Sequence, residues 1–459
     1  MQSISSISSS SSKKRRGASR RAIAGRSLLG AALLASTALI ALPAGPAFAD
    51  DLVVDGQDRE VINKPVDLDG GNVFVGVDDG DDATLTIANG GELESYYGYI
   101  GLIAGSKGTV TVSRGGSWNA DGAIYVGVYG EGTLNVSSGG FVESYQDFVI
   151  GYGEVSTGTV TVSGKGSRLI AGDDVLVGSR GEGTLNVLDG GYVYAADDVR
   201  IGDADGGTGT VTVSGKDSQL IAGDDIIVGR NSEGTLNVRD GGYVRADGNV
   251  YMGAYSGSTG TVTVSGKDSR LVAGDDITVG NYGEGTLNVL DGGYVHADDD
   301  VYLGRFSGST GTVTVSGKDS RLVAGDRMLV GYYGEGSLNV LHGGYVRADD
   351  DVRIGQGFGS TGTVTVSGND SRLVAGDVVF VGYFSEGTLT VASGGVVEAR
   401  DSFIIAYGAD SEDAKGTLNI GAASGEKAQA AGFLQGADGA AATIEFFDGD
   451  GTIVFNHTG

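Results

Sequence analysis

The chain contains no cysteine among its 459 residues, and only three histidines, three prolines and one tryptophan. Without thiols there can be no disulfide, no thiolate metal site and no cysteine nucleophile. The three histidines (His296, His342 and His457) share no fixed place in the sequence, so we expect neither a catalytic triad nor a zinc centre. A single proline after residue 49, Pro65, suits a chain whose backbone amides are committed to β ladders.

Positive charge is also scarce. The chain has 31 Lys and Arg against 59 Asp and Glu, a formal net charge of −28. Seven of the basic residues lie in the first 49 residues, which hold no acidic residue, so the remainder is still more acidic. Such a balance argues against nucleic acid and anionic lipid surfaces as partners.

Residues 1–49 have the features of a secretory signal peptide. A basic start precedes an apolar core at residues 28–42. The A-x-A motif formed by Ala47 and Ala49 then predicts cleavage before Asp50. The apolar core is too short for a membrane span before proline interrupts it. We therefore expect export through the secretion translocon.

Glycine, in contrast, is abundant, with 85 residues, and it marks a regular repeat. The motif GTVTVSG begins at residues 158, 209, 260, 311 and 362, each 51 residues after the last. GTLNV and its close variants begin at residues 132, 183, 234, 285, 336 and 387. The two series interleave, so the structural unit is a half-repeat of 25 or 26 residues. A fixed period of this length indicates one supersecondary unit stacked many times.

Each half-repeat contains three short runs in which apolar residues alternate with polar ones. Between residues 260 and 310 the apolar pairs are Val262/Val264, Leu271/Ala273, Ile277/Val279, Leu287/Val289, Val295/Ala297 and Val301/Leu303. Period-two alternation predicts strands, and three strands in about 25 residues predict one coil of a parallel β-helix. We therefore predict an all-β, right-handed parallel β-helix of about 14–16 coils with 25–26 residues per coil.

The organisation follows from where the repeat is regular. We predict a signal peptide at 1–49, a capping coil at 50–82 and the repeat β-helix at 83–415. The last segment, 416–459, departs from the repeat.

The motifs GTVTVSG, SRLVAGDD, VGxYGEGTLNV and DGGYV closely resemble the repeat of type V secretion (autotransporter) passengers and of some exosortase-sorted proteins. The stretch from Gly416 to Gly421, followed by residues 451–458, resembles the late passenger of autotransporters. That resemblance implies an outer-membrane translocator barrel as partner. The sequence stops where the barrel should begin, so we expect either a truncated product or release without its own translocator.

Two outward features are candidates for binding. The first is a series of acidic pairs in turns, which could hold Ca²⁺ through their oxygens: Asp224, Asp225, Asp275, Asp276, Asp299 and Asp300. The alternative is that these aspartates are ordinary turn residues on a solvated acidic edge. The Ca²⁺-binding nonapeptide of other β-helices is missing, which favours this alternative. The second is a stripe of tyrosines about 10 Å apart on one face, interleaved with arginine: Tyr192, Tyr243, Tyr294 and Tyr345. The stripe could bind glycan or protein, or could simply cover the sheet.

From these features we expect a secreted or surface-exposed passenger that acts by adhesion or self-association at the bacterial exterior, with no enzymatic activity and no cofactor. If no barrel is supplied, the location would be periplasmic. Two alternatives stay open. One is a barrel-less fragment with no independent function, and the other is an enzyme-bearing β-helix such as a polysaccharide lyase or a protease passenger.

Overall fold

A computed structural model describes residues 51–408 and 413–458. The predicted signal peptide, with its cleavage residues Ala47, Ala49 and Asp50, lies outside the described residues. The described part winds as a β-solenoid in which each coil contributes one strand to each of three parallel sheets. The prediction of a parallel β-helix is therefore confirmed, with about 16 turns.

Sheet 1 is built from the longest strands, mostly of seven residues, which begin at the GTVTVSG and GTLNV motifs. Its strands are Arg59–Ile62, Asp82–Ala88, Lys107–Ser113, Glu131–Ser137, Thr157–Ser163, Glu182–Leu188, Thr208–Ser214, Glu233–Arg239, Thr259–Ser265, Glu284–Leu290, Thr310–Ser316, Glu335–Leu341, Thr361–Ser367, Glu386–Ala392, Lys415–Gly421 and Asp450–Thr458. Among the described residues the first strand pairs only with the second, so this sheet is open rather than closed on itself.

Sheet 2 follows sheet 1 around each coil, and most of its strands have four residues. Its strands are Val66–Asp67, Glu92–Ser95, Ser117–Ala120, Phe141–Ser144, Arg168–Ala171, Tyr192–Ala195, Gln219–Ala222, Tyr243–Ala246, Arg270–Ala273, Tyr294–Ala297, Arg321–Ala324, Tyr345–Ala348, Arg372–Ala375, Val396–Ala399 and Phe433–Gln435. This sheet carries the predicted tyrosine stripe.

Sheet 3 completes each coil with strands of three to five residues. Its strands are Leu52–Val54, Val73–Val75, Gly98–Ile100, Ile124–Val126, Phe148–Ile150, Val175–Val177, Val199–Ile201, Ile226–Val228, Val250–Met252, Ile277–Val279, Val301–Leu303, Met328–Val330, Val352–Ile354, Val379–Tyr383, Phe403–Tyr407 and Ile444–Phe446. A short strand, Gln429–Ala430, pairs with the last strand of sheet 1, and Ala437–Gly439 forms a 3-10 turn.

The core is a continuous set of apolar columns along the solenoid axis. In the central repeat Val262, Leu271 and Ile277 are fully buried, as are their counterparts one coil on. The register keeps like residues aligned, because Thr261 pairs with Thr286 and Thr286 with Thr312. No coil can bury its own inward face alone, so stability arises between neighbouring coils.

The corner between sheet 3 and sheet 1 depends on glycine. Gly280 has a φ of +73°, and a Cβ placed on it would overlap the backbone oxygen of Thr310 on the next coil. Glycine adopts this left-handed conformation without the strain of a side chain, and its lack of a Cβ leaves room for the close approach. Of the helical segments in residues 51–408 and 413–458, none is long and apolar enough to cross a membrane.

Candidate functional site

The predicted tyrosine stripe lies in one outward row of sheet 2. In the ladder, the first residue of each strand pairs with that of the next coil, in the order Arg168, Tyr192, Gln219, Tyr243, Arg270, Tyr294, Arg321, Tyr345 and Arg372. Three of the arginines stack over the next tyrosine ring, at 5.9 Å for Arg168, 5.9 Å for Arg270 and 5.7 Å for Arg321. We call this row the tyrosine–arginine row. Its residues are brought together as the sequence indicated.

A lysine border runs along the turn between sheet 1 and sheet 2, beside this row. It consists of four exposed lysines that recur every 51 residues: Lys165, Lys216, Lys267 and Lys318. Within residues 51–408 and 413–458, none of the four lies within 4 Å of a carboxylate. The lysine border therefore presents ammonium groups without a close carboxylate partner, although exposed aspartates such as Asp268 and Asp319 lie in the same turns.

Between successive lysine turns the surface forms a notch, which in the central repeat has a volume of about 400 Å³. Tyrosine forms part of the notch, and charged side chains of both signs surround it. The lining residues are Lys267, Asp268, Arg270, Asp291, Gly292, Tyr294, Lys318 and Asp319. The notch thus joins the lysine border to the tyrosine–arginine row.

An acidic border occupies the opposite side of sheet 2, in the turn that leads to sheet 3. It is a row of aspartates on nearly every coil of the repeat: Asp173, Asp197, Asp224, Asp275, Asp299, Asp326, Asp350, Asp377 and Asp401. Backbone hydrogen bonds connect the row, for example from the Asp299 N–H to the Asp275 carbonyl oxygen at 3.2 Å. Three of the predicted Ca²⁺ ligands, Asp224, Asp275 and Asp299, are exposed members of this row.

The other three predicted ligands, Asp225, Asp276 and Asp300, belong to an inner row that is partly or fully buried. Their carboxylates accept hydrogen bonds from the backbone of the next coil. The Asp276 Oδ1 accepts from the Asp300 N–H at 3.1 Å, and the Asp300 Oδ1 accepts from the Arg327 N–H at 2.9 Å. The inner row therefore works as a backbone-capping ladder. These contacts leave the Ca²⁺ hypothesis a prediction.

Burial has an electrostatic consequence for the inner row. It raises the pKa of Asp147, Asp174, Asp225 and Asp276 above the ordinary carboxyl value, while the backbone hydrogen bonds lower it and so oppose this effect. Arginines compensate part of the ladder. The Arg200 guanidinium lies 2.8 Å from Asp174 and 2.9 Å from Asp198.

Further along the inner row, arginine again supplies the countercharge. Arg327 binds Asp300 at 2.8 Å, and Arg353 binds Asp351 at 2.8 Å. Asp351 also lies in a group of three acidic residues, in which one oxygen each of Asp350, Asp351 and Asp377 lies within 4.8 Å of the others. Because Asp351 is already bound to Arg353 and to the Val378 N–H, this group is an extension of the ladder.

The histidines occupy places that the repeat gives to other residues. His296 lies 2.9 Å from Asp298, as Arg245 lies 2.8 Å from Asp247 in the preceding repeat. His342 has a φ of 51°, close to that of Asp291, and its Nδ1 lies 3.2 Å from the Ser316 hydroxyl. The equivalent contact joins Ser214 to Asp240 at 3.1 Å, so the Ser–His pair is a turn contact. His457 lies in the last strand of sheet 1.

Sequence reasoning missed a second line of aromatic residues, at the corner between sheet 3 and sheet 1. It runs over successive coils and consists of Tyr255, Tyr282, Phe306, Tyr333, Phe358 and Phe384. The rings of Tyr282 and Phe306 are stacked with their centroids 4.2 Å apart. The sequence does contain a sign of this line, because each of these aromatic residues is the second or third residue after a corner glycine. The alignment is hard to recognise in the sequence because the corners alternate between two lengths.

A third aromatic group was also missed, on the outer face of sheet 3 near the N-terminal end. Phe74, Tyr99 and Tyr125 stack on consecutive coils at 5.1 and 5.4 Å. Tyr97 and Tyr152 pack against them, and burial raises the pKa of Tyr125 to about 12. This group covers the sheet, since Tyr97 and Tyr99 are almost fully buried.

Comparisons with known proteins place the chain near two bacterial proteins. It is 32% identical over 306 residues to YdeK, an uncharacterized lipoprotein of Escherichia coli (strain K12), which covers 62% of this chain and 22% of YdeK. It is 27% identical over 235 residues to YuaQ, an uncharacterized protein of the same strain, covering 50% of this chain and 15% of YuaQ. The chain thus matches less than a quarter of the length of these relatives.

No protein-family profile matches the chain. Among solved structures, a crystal structure of a TibC-catalyzed, hyper-glycosylated fragment of TibA covers 86% of this chain and 100% of the fragment. Its TM-score is 0.41 and its identity 18%. The class that the fold defines is a repetitive parallel β-solenoid.

Proposed function

We propose that this chain is the exported, autotransporter-like passenger part of a bacterial surface protein, and that it acts by adhesion and self-association through its repetitive faces. The signal-peptide features and the repeat motifs support export. The lipoprotein designation of the relative YdeK is compatible with an exported protein. The partners would be the secretion translocon and an outer-membrane translocator barrel.

One observation carries the adhesive part of the proposal: sheet 2 has a line of exposed lysines, set among aspartates, on one side and a line of aspartates on the other. The lysine border and the acidic border both follow the coils of the same array, with the lysines on alternate coils. Two copies can therefore meet face to face with the lysine side chains of each copy opposite aspartates of the other. A two-fold axis parallel to the solenoid brings each lysine border onto the partner's acidic border.

This arrangement keeps both copies pointing in the same direction, as surface-anchored molecules require. Each contact is a weak exposed ion pair, worth about 0–1 kcal/mol. Many equivalent contacts add up when they form together, so avidity replaces individual strength.

Sedimentation velocity of the purified protein tests this proposal. We expect concentration-dependent association near ~0.05 M salt that weakens near ~0.5 M, because salt screens exposed charges. Replacing Lys165, Lys216, Lys267 and Lys318 by Gln should abolish association. The matched control replaces four outward threonines of sheet 1 by Glu: Thr159, Thr210, Thr261 and Thr312. It makes the same change in net charge and should still associate more strongly than the lysine variant. Equal loss in both variants would contradict a role for the borders.

We also propose that the role is non-enzymatic. His296 stands where the preceding repeat has Arg245, and His342 stands where it has Asp291, so neither occupies a place that recurs as histidine. An assay against a panel of polysaccharides and peptides should release no product, and any turnover that survives purification to homogeneity would refute this.

A further inference from the structure

We propose that each 51-residue repeat forms one glycan subsite at the notch beside the lysine border, so that a neutral polysaccharide binds along the array. The inference rests on the proposed adhesive function and gives its ligand class. It starts from the central notch, where Tyr294 lies beside Arg270 and between the turns that carry Lys267 and Lys318.

The notch is held in shape by buried serines beneath it. The Ser320 hydroxyl donates to the Ser316 carbonyl oxygen at 2.7 Å and accepts from the Gly292 N–H at 3.0 Å. Ser320 is fully buried. The turns on both sides are therefore fixed before a ligand arrives, which lowers the entropy cost of binding.

The same geometry recurs in the neighbouring repeats. Gly241 and Gly343 donate to Ser269 and Ser371 at 3.0 Å, as Gly292 does to Ser320. The φ angles of Gly241, Gly292 and Gly343 are 88°, 91° and 88°. The array therefore presents a series of notches that share this backbone geometry.

The charges around the central notch decide the ligand class. Three cationic groups, from Lys267, Arg270 and Lys318, face three carboxylates, from Asp268, Asp291 and Asp319. This balance favours neither a polyanion nor a polycation. It suits neighbouring sugar hydroxyls, which accept hydrogen bonds from Lys and Arg and donate them to Asp. Tyr294 adds an apolar ring surface with a polar tip.

The spacing favours a polymer. Notches recur every second coil, about 10 Å apart, and this is close to the length of a disaccharide unit in an extended glycan. One chain could then occupy several notches, and its affinity would grow with the number occupied. Adjacent notches are not identical, because Gln219 replaces the arginine in one and His342 replaces the aspartate in another.

Affinity electrophoresis of the purified protein through gels containing a single polysaccharide tests the inference. The neutral polymers are mannan, dextran, a β-1,3-glucan and a soluble β-1,4-glucan, and the anionic ones are alginate and heparin. We expect at least one neutral polymer to retard the protein, and short oligosaccharides of the same sugar to compete less well than long ones. Retardation by no neutral polymer, or by anionic polymers alone, would overturn the inference.

The variant for this test replaces Tyr243, Tyr294 and Tyr345 by Ser. We expect the apparent affinity to fall at least about tenfold, because several subsites are lost together. The matched control carries the same change at Tyr255, Tyr282 and Tyr333, on the other corner, and should bind normally. Equal loss in both variants would also overturn the proposal. Self-association at low salt is measured separately, so failure to bind glycan leaves the proposed function standing.

Discussion

The carboxylate of Asp276 accepts a hydrogen bond from the backbone N–H of Asp300, one coil further along, at 3.1 Å. This contact joins two successive coils outside the three sheets. Its equivalents connect Asp174 to Asp198 at 3.0 Å and Asp225 to Asn249 at 2.7 Å. A residue type that the sequence marks only as turn-forming thus connects one coil to the next.

Stability should depend on pH through this ladder. Burial raises the pKa of Asp147, Asp174, Asp225 and Asp276 in the folded protein, so the folded state holds these protons more tightly than the unfolded chain. The contribution of these groups to the free energy of unfolding should therefore rise as pH falls from neutral through their raised pKa towards the ordinary carboxyl pKa. Thermal unfolding followed by circular dichroism measures this. The same pH dependence of Tm in the wild-type protein and in a variant with Asp174 and Asp276 replaced by Asn would contradict it.

Replacing Asp225 separates the charge from the hydrogen bond. Asp225→Asn keeps an oxygen for the Asn249 N–H and removes a half-buried charge, so we expect a higher Tm at pH 7 and a smaller gain as the pH is lowered. The chain itself uses Asn249 at the next place, where its Oδ1 accepts from the Asp276 N–H at 3.2 Å. Asp225→Ala should cost about 1–3 kcal/mol, because the N–H loses its acceptor. Equal effects of the two substitutions on Tm would refute the ladder.

Corner glycines should differ in their tolerance according to the space around them. Gly308 has a φ of 81°, and a Cβ added to it would meet nothing within 4 Å, so Gly308→Ala should cost only the left-handed strain of about 1–2 kcal/mol. Gly280→Ala should cost clearly more, because its Cβ would overlap the Thr310 backbone. Urea unfolding of the two variants compares them. Equal losses would mean that close packing of the corner contributes nothing.

Core substitutions should act locally. Leu287 is fully buried, and Leu287→Ala should destabilise by about 2–5 kcal/mol. Because each coil contacts only its neighbours, amide protection should be lost mainly between residues 260 and 315. Hydrogen exchange with mass spectrometry measures this, with the outward Thr286→Ala as the matched control. Uniform loss of protection along the array would indicate a single cooperative unit instead.

Inward positions could be predicted from the sequence because burial in a solenoid repeats with the chain. Val262, Leu271 and Ile277 were identifiable from alternation alone, and all three are fully buried. The tyrosine–arginine row followed from the same regularity, since residues at equal places in the repeat must align when coils stack.

What could not be predicted depends on departures from the repeat. The corners between sheets 3 and 1 differ in length from coil to coil, so the alignment of Tyr282 with Phe306 is not visible in either half-repeat alone. The double role of the aspartate pairs was also hidden. Asp275 and Asp276 cannot be told apart by residue type, yet Asp275 is exposed and Asp276 accepts a backbone hydrogen bond.

Zero-length carbodiimide crosslinking tests the central claim, opposition of the lysine and acidic borders between two copies, most directly. Light and heavy-isotope protein are mixed at low salt, crosslinked, digested and analysed by mass spectrometry. The account predicts mixed light–heavy peptides that join Lys216, Lys267 or Lys318 to acidic-border residues such as Asp275 or Asp299. Mixed crosslinks that map elsewhere, or crosslinks within single copies only, would contradict it.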